Sequence, residues 1–204
     1  MLRDHARLHF PAFLVQVLAT AVGLLLALGL DQWRDQRRQA GLGRAHLAAI
    51  QAELRTNLAE LEGEAKALGQ QDAVLAEVAR ALSHPAAGGL HLDVRINFSI
   101  AALRHSAWDM AVAGQTPLRS DLERMGRLAN AYESLRLIQG LNDQLLRDLS
   151  LLSKLIPVLE ARELPPPAER RALAGRIEDL RAQMSLVMNT VPSTRKDLIA
   201  ALAP

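Results

Sequence analysis

Hydrophobic residues in this chain follow three patterns, and the first is continuous rather than periodic. From Phe10 to Leu30 no residue is charged. A helix of about 20 apolar residues spans about 30 Å, the hydrocarbon thickness of a bilayer. A soluble helix is seldom apolar on every face, and a signal-peptide core runs to about 7 to 15 residues. The run therefore predicts a retained transmembrane helix over 10–30, preceded by a short tail over 1–9. Ala19-Thr20-Ala21 and Ala27-Leu28-Gly29 offer the small-x-small spacing of a signal-peptidase site, so cleavage is the competing reading. Trp33 stands where an interfacial aromatic belongs.

The second pattern is a heptad. Leu47, Leu54, Leu61, Leu68, Leu75 and Leu82 recur at one spacing in a stretch without proline, which predicts a long helix over about 31–82. The second core position reads Ile50, Asn57, Glu64, Gln71 and Val78, so the seam is half polar. Leu58, Ala65 and Ala79 widen the stripe beyond a two-stranded seam, as in a helix packed among neighbours in a bundle.

The third pattern is helical spacing interrupted by breakers. Pro85 and Gly88-Gly89 end the long helix, and LHLDVRINF from Leu90 to Phe98 alternates like a strand but has no second strand to pair with. An extended connection is expected there. Ser99 is placed to cap a short helix over about 99–113, closed by Gly114. Thr116-Pro117 and the Ser120 to Glu123 capping box open a long helix over about 117–163. Pro165-Pro166-Pro167 stops it, and helices over about 168–189 and 193–202 follow, divided at Pro192. The predicted fold is all-α: a transmembrane helix continuing into a long helix, plus an antiparallel helical bundle over 31–204.

Composition agrees with helices, since the chain is 50% hydrophobic but 3% aromatic, and sheets favour aromatic and β-branched residues. A net charge of +2 with interspersed signs gives no basic face for nucleic acid. The absence of cysteine excludes disulfides, thiolate metal sites and cysteine nucleophiles. His5 and His9, with Asp4, have a helical ligand spacing but lack a full ligand set, and His84, His91 and His105 are scattered. No nucleophile, zinc-protease or phosphate-loop motif occurs. The reading is a protein that is not an enzyme and has no cofactor or metal.

GLLLALGLDQWRDQRRQ followed by HLAAIQAELRTNLAELE resembles the start of an uncharacterised family of bacterial single-span membrane proteins, in which an anchor ends in an ALxxxxW-like signature. HSAWDMAVAGQTPL and LANAYESL are similar to that family's T-x-W helix and downstream Tyr. Ala27, Leu28, Trp33, Trp108, Gly114 and Tyr132 match the pattern, whereas His105-Ser106 stands where Thr is usual. The resemblance implies a bacterial inner-membrane, single-pass protein with a periplasmic C-terminal domain, but no activity. Arg3 and Arg7 before the span against Arg34, Arg37, Arg38 and Arg44 after it argue for the opposite orientation. The expectation is periplasmic.

Function is then read as a membrane-tethered module acting through protein contacts, by self-association or envelope assembly. Its partners are the lipid bilayer and either a second copy or another membrane protein. Gln16, Thr20, Gly23 and Ala27 form a small and polar face of the span suited to close helix approach, with Leu47, Leu54 and Leu61 extending the contact outside the membrane. Arg104, Trp108 and Tyr132 are core anchors or, in the alternative reading, the lining of a pocket in a ligand-binding accessory sensor.

Overall fold

The computed structural model describes residues 5–85, 98–114, 122–149 and 165–203, with side chains from residue 15 onward. Among the described residues every regular element is helical: α1 (His5–Ser83), α2 (Ser106–Ala113), α3 (Leu122–Leu149) and α4 (Pro167–Leu202). The chain forms two compact units, one of residues 1–48 with 111–119 and the other of 49–110 with 120–204.

In the first unit the described part of α1 is exposed from residue 15 to 39. Val15, Leu18, Leu25 and Leu26 each leave more than half of their surface uncovered. This helix is long and apolar enough to cross a membrane. Beyond it Leu47 is half-buried.

The second unit has a core. Leu54, Leu61, Leu68 and Leu75 are completely buried, and Leu82 nearly so, which makes the heptad face the inner face of α1. Each such leucine contributes roughly 1.5 to 3 kcal/mol. Leu68, Leu75 and Val78 pack with Leu145 of α3 and with Leu173, Ile177, Leu180, Met184 and Val187 of α4. This corrects the expectation that Leu54 and Leu61 serve contacts with another molecule: they are spent on the chain's own core.

Cross-helix pairs give the order of the elements. Glu62 meets Arg195 and Asp72 meets Arg181, so α4 meets α1 in reverse order. Glu53 meets Tyr132, and further along α1 Glu64 lies beside Asn142, so α3 meets α1 in the same order. Two successive long helices in the same order require the chain to return along α1 between them, and residues 98–107 make that return.

Two helix limits differ from the sequence expectation. The short helix begins at Ser106 rather than near Ser99, because the backbone before it is engaged by α1 side chains. The C-terminal segment is one helix through Pro192, not two. Pro192 has no N–H for the Met188 carbonyl, a defect of about 3 kcal/mol. Burial of Met184, Val187, Val191, Leu198 and Ala201 along one continuous stripe outweighs it. Hydroxyls also satisfy nearby carbonyls: Thr190 donates to Leu186 O at 2.8 Å and Ser193 to Thr190 O at 2.8 Å. The third helix is described over Leu122–Leu149. Its expected extensions over 117–121 and 150–163, the Gly88-Gly89 turn, the connection at Leu90 to Asn97, His91, and the side chains of Asp4, His5 and His9 lie outside the described residues.

Candidate functional site: a polar track on the long helix

Two polar positions of the heptad seam, Asn57 and Glu64, form the site together with Glu53 beside the leucine face. Glu53, Asn57 and Glu64 stand at i, i+4 and i+11 on α1, hence on one face, and all three are buried. Each meets the returning chain in turn. Glu64 lies by the backbone of Ala101, Asn57 clamps Arg104, and Glu53 receives Ser106 and Ala107. The chain thus runs down α1 from residue 64 to residue 53 as its own number rises from 101 to 107. An extended segment rises about 3.3 Å per residue and a helix about 1.5 Å, so six steps of one match eleven of the other to within a few ångströms.

Asn57 uses both ends of its amide. Its Nδ2 donates to Arg104 O at 2.8 Å and its Oδ1 accepts from Arg104 N at 2.9 Å. A residue clamped in this way has no backbone groups left for a helix. Arg104 enters the site through this backbone clamp, and the residue as a whole is exposed.

Glu53 is the hub. Its Oε2 accepts from Ser106 Oγ and from the Ala107 amide, each at 2.9 Å, and its Oε1 accepts from Tyr132 Oη at 2.7 Å. Two of these donors sit in the first turn of α2, where unpaired N–H groups and the positive end of the helix dipole favour a carboxylate. Burial by itself raises the Glu53 pKa, but the bonds from Tyr132, the Ala107 amide and Ser106 together outweigh it and the pKa is lowered. The Tyr132 phenol is pushed up by burial first, then by its bond to Glu53. With the two values moved apart, the proton stays on the phenol and Glu53 stays ionised.

Tyr132 is completely buried and stacks on Trp108, with ring centroids 5.1 Å apart and planes at 16°. Such pairs add about 0.5 to 1.5 kcal/mol beyond area burial. His105, tilted against the Tyr132 ring at 6.0 Å, bonds Gln139 Oε1 through Nε2 at 2.7 Å. Trp108 and Tyr132 are therefore brought together. Gln16 and Thr20 share an intrahelical bond, Thr20 Oγ1 to Gln16 O at 2.9 Å, and Gly23 has open space around it.

Glu64 is different. It is 2% exposed, and among the described residues neither carboxylate oxygen has a hydrogen-bond partner. Asn142 is 3% exposed, with neither amide atom paired among the described residues. The two act on each other without reaching hydrogen-bond geometry. Burial raises the Glu64 pKa, Asn142 and the Ala101 backbone oppose the rise, and the charge of Glu60 adds to it. The fold therefore favours the protonated acid. That contribution is fully present below the ordinary value of 4.5 and is lost as pH rises through the raised folded value. Glu64→Gln, neutral at every pH, is expected to raise the melting temperature near pH 8 and to leave it nearly unchanged near pH 4. Parallel pH profiles for the two proteins would remove Glu64 as the cause.

Sequence reasoning missed Glu53, Asn57 and Glu64 as a unit. Two of them were visible as polar intrusions in an otherwise apolar seam, but their partners lie far along the chain, Tyr132 being 79 positions from Glu53. Among the described residues no group of three or more metal-ligating side chains occurs. No family model, curated protein or solved structure matches the chain.

Proposed function

We propose that this protein is a single-pass, membrane-tethered helical module without enzymatic activity, whose second unit is a helical bundle with α4 antiparallel to α1 and α3 parallel to it, and whose role is to make protein contacts at a membrane surface. The observation that carries this reading is the contrast along one helix. From residue 15 to 39 α1 is exposed on every side and apolar as far as Leu30, whereas from Ile50 onward its apolar face is fully buried. Water does not tolerate the first arrangement over that length, and a bilayer does.

The polar track supports a structural role. Glu53 is fully engaged by donors, with its proton held elsewhere, and serves as a fixed receptor for the α2 terminus rather than as an acid or base. Contacts with another molecule then fall to surfaces that the chain leaves open. Within the span that surface is the face of Gln16, Thr20, Gly23 and Ala27, where small residues allow close approach and Gln16 offers an interhelical bond of roughly 0.6 to 2 kcal/mol. Gly23→Leu is expected to weaken self-association in a membrane two-hybrid assay, and Val22→Leu to leave it unchanged. Equal signals from both variants and the unaltered chain would make this face lipid-facing filler.

We read the side after the span as periplasmic, as the family resemblance implies, although Arg34, Arg37, Arg38 and Arg44 after the apolar run against Arg3 and Arg7 before it favour the opposite side.

A further inference from the structure

The arginines that follow the span form a face of their own. At about 100° per residue, Arg34, Arg37, Arg38 and Arg44 fall within an arc of about 120° on α1, the same side of the helix that carries Gln16, Thr20, Gly23 and Ala27 within the span. All four are exposed. Asp31 and Asp35 lie beyond one edge of the arc, and among the described residues no ion pair joins them to the arginines. Arg37 places its guanidinium 4.1 Å from the centre of the Trp33 ring. At 1.5 Å per residue, Arg34, Arg37 and Arg38 stand about 6 to 12 Å past Leu30. The headgroup layer is about 5 to 8 Å deep on each side of the hydrocarbon, within reach of a long side chain from each position.

We propose that Arg34, Arg37 and Arg38, with Trp33, form a binding surface for the phosphate groups of anionic lipids. The proposal rests on the reading of α1 as a membrane span. Guanidinium forks match phosphate oxygens in pairs, and a ring that holds Arg37 in place lowers the cost of fixing it. Three cations on one side of the helix, with no carboxylate partner among the described residues, complement a diester phosphate at the depth where the chain leaves the hydrocarbon. The face also bears on association through the span. A parallel pair formed through Gly23 would set the arginines of both copies on the same side, and anionic headgroups supply the charge that neutralises them.

The test is native mass spectrometry of the full chain, released from membranes in detergent and offered equal amounts of phosphatidylglycerol and phosphatidylcholine. An arginine at an anionic surface contributes roughly a fivefold factor, so the unaltered chain is expected to retain phosphatidylglycerol at least about tenfold over phosphatidylcholine. The triple variant Arg34→Gln/Arg37→Gln/Arg38→Gln should bring that ratio close to one, while Arg55→Gln, exposed in the second unit, should not change it. Equal retention of the two lipids by the unaltered chain would overturn the proposal, and so would an undiminished preference in the triple variant; an acidic protein as the true occupant would give the first of these. Alkaline extraction of the starting membranes separates the two levels of failure. A chain that stays in the membrane but shows no preference defeats the lipid site alone, whereas a chain that is washed off defeats the span as well.

Discussion

Leu61→Asp is expected to unfold the second unit. Leu61 is completely buried in the heptad face, and truncating a core leucine to alanine already costs about 2 to 5 kcal/mol. Aspartate adds a carboxylate with no partner, which costs several kcal/mol more if ionised, or a shifted pKa and an unpaired acid if not. The sum reaches the range of about 5 to 15 kcal/mol within which whole domains are stable. The adjacent Glu62 is half exposed, and its 2.9 Å pair with Arg195 is a surface ion pair of the kind that contributes about 0 to 1 kcal/mol. Glu62→Ala should therefore melt within a few degrees of the unaltered protein. Trp108 fluorescence during thermal unfolding in detergent is the readout, since Trp108 lies in the second unit. A Leu61→Asp protein melting with the unaltered one would show that the heptad face is not the core.

Glu53→Ala should cost nearly as much, for a different reason. It strands Tyr132 Oη, the Ala107 amide and Ser106 Oγ, and hydrogen bonds to a charged group are worth about 1.5 to 3 kcal/mol each. Because the three share one acceptor they do not add, and a net loss of about 4 kcal/mol is the expectation, a fall of roughly 8 to 16 °C in melting temperature. Tyr132→Phe removes one of the three bonds and should lose less than half of that. The acid side gives an independent check. The folded pKa of Glu53 is depressed, so its contribution is present above the ordinary value of 4.5 and disappears as pH falls through the lowered folded value. The gap between Glu53→Ala and the unaltered protein should accordingly shrink on acidification. A constant gap would mean that the carboxylate charge is not what holds the α2 terminus.

The sequence was legible where burial follows period. Leu54 to Leu82 announced the inner face of α1, and Phe10 to Leu30 announced a helix long and apolar enough to cross a membrane, because both signals are local. Helix limits were less legible wherever tertiary contacts compete with local preference. Ser99 carries a capping side chain, yet the helix waits until Ser106, because Asn57 holds the backbone of Arg104 and Glu53 holds the first turn. Pro192 looked like a boundary and is not one, because the apolar stripe from Met184 to Ala201 keeps its register across it. The polar track was half legible. Asn57 and Glu64 stood out as wrong for a coiled-coil seam, but that a returning chain would use them is information carried by the fold, not by spacing. Trp108 and Tyr132 were legible as buried aromatics with polar tips, and the partner of the Tyr132 hydroxyl was not.

The most direct test of the membrane-tethered reading is alkaline carbonate extraction of membranes from cells making the full chain, followed by mass measurement of the extracted protein. A retained span predicts that the protein stays in the membrane pellet and keeps residues 10–30. Release into the supernatant, or a mature chain beginning just after Ala21 or Gly29, would show that the apolar run is a cleaved or soluble segment and would contradict the account.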